Sequence, residues 1–62
     1  MDERGRTRGL IKAADATCVL DRADEAMYLV SEAMTICTEM KYEEGRAAAM
    51  NVIAKVHVKK GS

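Results

Sequence analysis

The stretch Asp24-Glu25-Ala26-Met27-Tyr28-Leu29-Val30-Ser31-Glu32-Ala33-Met34-Thr35-Ile36-Cys37-Thr38-Glu39-Met40 decides the fold class of this chain. Within it Ala26, Leu29, Val30, Ala33, Ile36, Cys37 and Met40 recur at steps of three and four residues, which places them on one face of an α-helix. Asp24 and Glu25 fall in the first turn, where carboxylates meet the positive end of the helix dipole, and Lys41 follows the last turn. A helix is expected over residues 24–40.

Working outward, residues 6–20 carry Leu10, Ala13, Ala14, Thr17 and Cys18 at similar steps, and Asp21-Arg22-Ala23 forms a short connection. On the other side, Lys41-Tyr42-Glu43 leads into residues 44–60, with Met50, Ile53, Ala54 and His57 on one face. The chain has no proline and is rich in Ala, Met, Leu, Glu, Lys and Arg, a composition that favours helix throughout. The run Val52 to Val58 is ambiguous alone, because its β-branched residues alternate with Ala54 and His57 as they would in a strand. A shift of 40 positions lays Glu3 on Glu43, Gly5 on Gly45, Arg6 on Arg46 and Ala14 on Ala54, with Leu10 falling on Met50. A repeat of that period belongs to helical arrays and gives the first and third segments the same structure. The expected fold is all-α: one unit spanning residues 1–62, with three antiparallel helices at about 6–20, 24–40 and 44–60.

Length and charge narrow the function. Sixty-two residues make at most one small domain with a marginal core, to which a disulfide, a metal or a partner usually adds stability. Cys18 and Cys37 are the only cysteines, and their separation matches no zinc or redox motif. Two reduced thiols are the favoured reading and a single bridge the alternative. Ten Lys and Arg balance ten Asp and Glu, and Tyr28 and Tyr42 are the only aromatics. The basic footprint and stacking platform of a nucleic-acid binder are absent from this composition. No apolar run approaches the roughly 20 residues needed to cross a bilayer, and the start Met1-Asp2-Glu3-Arg4 is no signal peptide. The chain reads as soluble or peripheral, with no compartment specified.

The segments from Asp21 through Ala33 and from Glu39 through Met50 resemble the tetratricopeptide repeat family in its longer variant of roughly 40 residues. Ala14, Ala26 and Ala33 stand where that family places small residues between paired helices, and Ala54 repeats the first of them. Leu10, Val30 and Met50 fill large apolar positions, with Ile53 next along, and Gly61 falls at the family's inter-helix turn, where Asp21 stands in the first copy. The family's tyrosine-like position holds Thr17 and His57. The resemblance implies one and a half repeats, helices A, B and A′, stacked through small alanines. About three repeats are usual for independent stability, so Met50, Ile53, Val56 and their neighbours are expected to expose an apolar stripe.

The resemblance further implies a non-enzymatic module whose A-type helices line a surface for a peptide or protein segment. By position that surface would use Arg8, Ile11, Lys12 and Asp15, with Asn51, Val52, Lys55 and Lys59 in the second copy. The family's lysine and asparagine clamp for C-terminal carboxylates is not reproduced. A small structural or linker subunit held inside a larger assembly, including one extrinsic to a membrane complex, is the alternative. No catalytic, metal or cofactor site is expected. His57 among valines reads as a packing residue, Glu43-Glu44 as a helix start, and Lys59-Lys60 as a solvated helix end. Met27, Met34, Met40 and Met50, at helical spacings, read as core or interface packing.

Overall fold

The computed structural model describes residues 3–61. They form three helices, α1 (Glu3–Val19), α2 (Ala23–Met40) and α3 (Glu43–Gly61). Each packs against both of the others in a rod of 36 × 16 × 14 Å. The run Val52 to Val58 lies inside α3, so the helical reading of that ambiguous stretch is the one observed.

Each helix shows four buried positions to its neighbours, and the spacing is the same in all three. Thr7, Ile11, Ala14 and Cys18 are buried on α1, Ala26, Val30, Ala33 and Cys37 on α2, and Gly45, Ala49, Val52 and Val56 on α3. Steps of four, three and four residues keep the buried positions on one narrow stripe of each helix, the stripe that faces the other two. The three sets are related by successive shifts of 19 residues, so α1 and α3 correspond at 38 rather than at 40. The 40-residue shift aligned identical residues, but it laid buried Ala14 on exposed Ala54 and exposed Gly5 on buried Gly45.

This register corrects the expected inner face of α3. Met50 is 54% exposed, Ala54 and His57 are exposed, and only Ile53 of the four expected residues is half-buried. His57 is therefore no packing residue. The face that turns inward begins with a glycine and an alanine, which let α3 approach its neighbours closely. An added Cβ on Gly45 would lie 2.6 Å from the Tyr42 ring and 2.7 Å from Cys37 Sγ, closer than side-chain carbons tolerate. Val56, expected to be exposed, is fully covered.

On α1 the buried set is Thr7, Ile11, Ala14 and Cys18, while Leu10 and Thr17 are half-buried and Ala13 is exposed. Thr7 is the buried polar residue, and its hydroxyl donates to the Glu3 carbonyl at 2.7 Å, which satisfies the oxygen inside its own helix. On α2 the expected face is largely the observed one, although Met40 is exposed.

Both connections end the preceding helix in the same way. Asp21 and Lys41 take left-handed conformations, with φ of 67° and 58°. Around them the N–H of Arg22 donates to the Thr17 carbonyl and the N–H of Tyr42 to the Cys37 carbonyl, at 3.1 and 2.9 Å. Asp21 and Lys41 donate to Cys18 and Thr38, completing two Schellman caps without glycine. Cys18 lies just before the first connection and Cys37 just before the second, at opposite ends of the rod. With a rise of about 1.5 Å per residue, most of the length of α2 separates them, far beyond disulfide reach. Both thiols are free and buried.

Candidate functional site

The antiparallel path of the chain brings α1 and α3 side by side and parallel, with α2 on the other side of both. Across that pair Asp15 and Lys55 meet, with Oδ1 and Nζ 3.1 Å apart. At the same end of the rod, Lys59 reaches Asp21 at 4.0 Å and Lys60 reaches Asp24 at 2.7 Å. The Lys60 ammonium, by hydrogen bond and by charge, holds the Asp24 carboxyl below its ordinary value. At the other end Tyr42 closes the pair. The Arg8 Nε donates to its hydroxyl at 3.1 Å, and the Arg4 guanidinium lies 5.9 Å from its ring centroid.

Between these closures the outer side of the α1/α3 pair holds two hollows. The larger, about 480 Å³, is lined by Asp15, Cys18, Val19, Ala54, Lys55, Val58 and Lys59. The smaller, about 290 Å³, is lined by Arg8, Ile11, Lys12, Tyr42, Glu44, Gly45 and Ala48. Val19 and Val58 are 71% and 70% exposed at the mouth of the larger hollow, and Leu20, at the end of α1, is equally open. Four cations stand against two carboxylates along the two hollows, and the floor is made of small and apolar side chains.

Six of the eight residues expected to meet a partner border this groove: Arg8, Ile11 and Lys12 in the smaller hollow, Asp15, Lys55 and Lys59 in the larger. Ile11 does so only from below, since it is a core residue at 9% exposure. Val52 is buried in the seam at 4% and presents nothing outward, because α3 is rotated from its expected face. Asn51 is exposed and borders neither hollow. Sequence reasoning missed Val19 and Val58, the two open apolar side chains at the groove, and Tyr42, which caps it. Val19 ends α1 beside a polar connection, and Val58 lies in a helix whose apolar residues run all the way round, so neither carries a periodic signal.

Chemically the groove can hold an apolar side chain flanked by carboxylates. Among the described residues no group of three or more His, Cys, Asp or Glu is placed to hold a metal ion. None of the described helices is long and apolar enough to cross a membrane. Burial raises the Cys37 thiol above its ordinary value, so the neutral form is favoured there. No family model matches the chain, and neither a search of curated proteins nor one of solved structures found a match.

Proposed function

We propose that this chain is a non-enzymatic protein-interaction module that receives a segment of a partner in the groove between α1 and α3. The supporting observation is that groove itself, with Val19 and Val58 open at one end and the Arg8 and Lys12 side chains at the other. Exposed valines and a Leu20 gathered at one end of so small a rod mark a surface that gains by being covered. The resemblance to tetratricopeptide repeats points the same way, since their A-type helices correspond to α1 and α3.

A photo-crosslinking residue placed at Lys12 or at Val58, both on the groove, should capture the partner in an extract of the source. The same residue at His57, which is exposed and borders neither hollow, serves as the comparison. A partner caught only there would remove the groove from the account.

The second reading, a structural subunit of a larger assembly, is favoured by the same open end of the rod. It predicts that the chain elutes from an extract as part of a large stoichiometric particle, whereas elution near its own 6.8 kDa supports a free adaptor.

A further inference from the structure

The net charge of zero conceals a division between the helices. Helix α2 carries Asp24, Glu25, Glu32 and Glu39 and no basic residue. Helices α1 and α3 each carry four cations against two carboxylates. Some of this difference is used inside the fold, through the Lys60–Asp24 pair. The rest faces outward. Glu25, Glu32 and Glu39 are exposed and recur every seven residues, so they form one stripe down the solvent side of α2. Tyr28, 73% exposed, lies one turn from the first of them. Among the described residues, Glu32 and Glu39 have no ion-pair partner, and neither has Lys12 in the groove.

From this complementarity we infer that the occupant of the α1/α3 groove is a second copy of the chain, laid in by the outer face of its α2. The inference rests on the groove being the interaction surface. The acidic stripe of one copy faces the Lys12 side of the next, and Tyr28 supplies the apolar side chain for the hollow bordered by Val19 and Val58. The two surfaces differ, so the contact is heterologous: every copy offers one groove and one stripe, and copies add head to tail. One helix face in one groove is a small interface, so association is weak, rises with concentration, and is screened by salt.

Sedimentation of the purified chain tests this. The average mass should climb with concentration into the millimolar range at low salt and fall back towards 6.8 kDa in about 1 M salt. Glu32→Lys closes the stripe and Lys12→Glu closes the groove, each weakening self-association about tenfold or more while helical content stays unchanged. Mixed together, the two variants should recover association and grow again, since the native groove of one meets the native stripe of the other and the two reversed faces are themselves complementary in charge. A chain that stays monomeric at every concentration, or a dimer indifferent to both reversals, overturns the second copy as occupant. Capture of a different protein at Lys12 and Val58 in the source extract would also overturn it while leaving the groove as the interaction surface.

Discussion

Helices α2 and α3 bury their four seam positions at the same spacing, but they are closed off from water in different ways. The seam of α2, Ala26, Val30, Ala33 and Cys37, is flanked by half-buried Met27 and Met34 on one side and Leu29 and Ile36 on the other. The seam of α3 is flanked by Ile53, but also by Ala48 and by Lys55 and Lys60, which are engaged in ion pairs with Asp15 and Asp24. Apolar shoulders on α2 contribute burial over the whole length of the helix. Exposed ion pairs contribute little each, because water and salt screen them. Helix α3 is thus held by the closeness that Gly45 and Ala49 permit more than by the size of what it buries. It is also the helix whose outer side forms the groove, where thin cover leaves room for a partner.

The sharpest way to break this comparison is to charge the two seams. Val30→Asp and Val56→Asp each bury a carboxylate at a fully covered position, and each should abolish the cooperative thermal transition. A domain of this size holds only about 3–5 kcal/mol in its core. If Val56→Asp melts normally, α3 does not depend on its seam. Gly45→Ala comes next: alanine favours helix by up to about 1 kcal/mol, but its methyl meets the Tyr42 ring and Cys37 Sγ. A net loss of about 1–3 kcal/mol is expected from such overpacking, read as a lowered urea midpoint. Gly9→Ala is the control, for nothing lies within 4 Å of its added Cβ, and it should gain about 0.5–1 kcal/mol.

The two glycines show what was legible in the sequence. Helix α2 could be read because its small seam residues are embedded in larger apolar neighbours, so the broad band points the right way even if the exact seam is missed. Helix α3 could not, since Ala47, Met50, Ala54 and Val58 are apolar and exposed while Gly45 and Ala49 are buried. Hydrophobic periodicity weights a residue by its apolarity, whereas this interface selects by smallness. The 40-residue identities strengthened the wrong rotation, and with it came the misplaced Val52. Arg8, Lys12, Asp15, Lys55 and Lys59 border the hollows nonetheless, because α1 keeps its expected side and the lysines of α3 are long enough to reach across a modest rotation.

A smaller effect concerns the connections. Lys41→Gly relieves a left-handed side chain and should stabilise by about 0.5–1 kcal/mol in thermal or urea unfolding, leaving the cap bonds in place. Smallest is the pH dependence of the α3 edge. The folded carboxyl of Asp24 is held below its ordinary value, so its contribution is present above about pH 4 and is lost as pH falls through the depressed value. Unfolding curves of the parent and of Asp24→Asn should therefore differ slightly near neutrality and converge in strong acid.

The inner face of α3 can be read directly by placing one new thiol at a time beside the slow, buried Cys18 and Cys37. Val52→Cys and Val56→Cys are mild changes in size, and Met50→Cys and His57→Cys sit where the sequence alone would have put the core. Labelling with a thiol reagent should be fast at positions 50 and 57 and protected at 52 and 56. Protection at 50 and 57 with fast labelling at 52 and 56 would rotate α3 and dissolve the groove that it forms with α1.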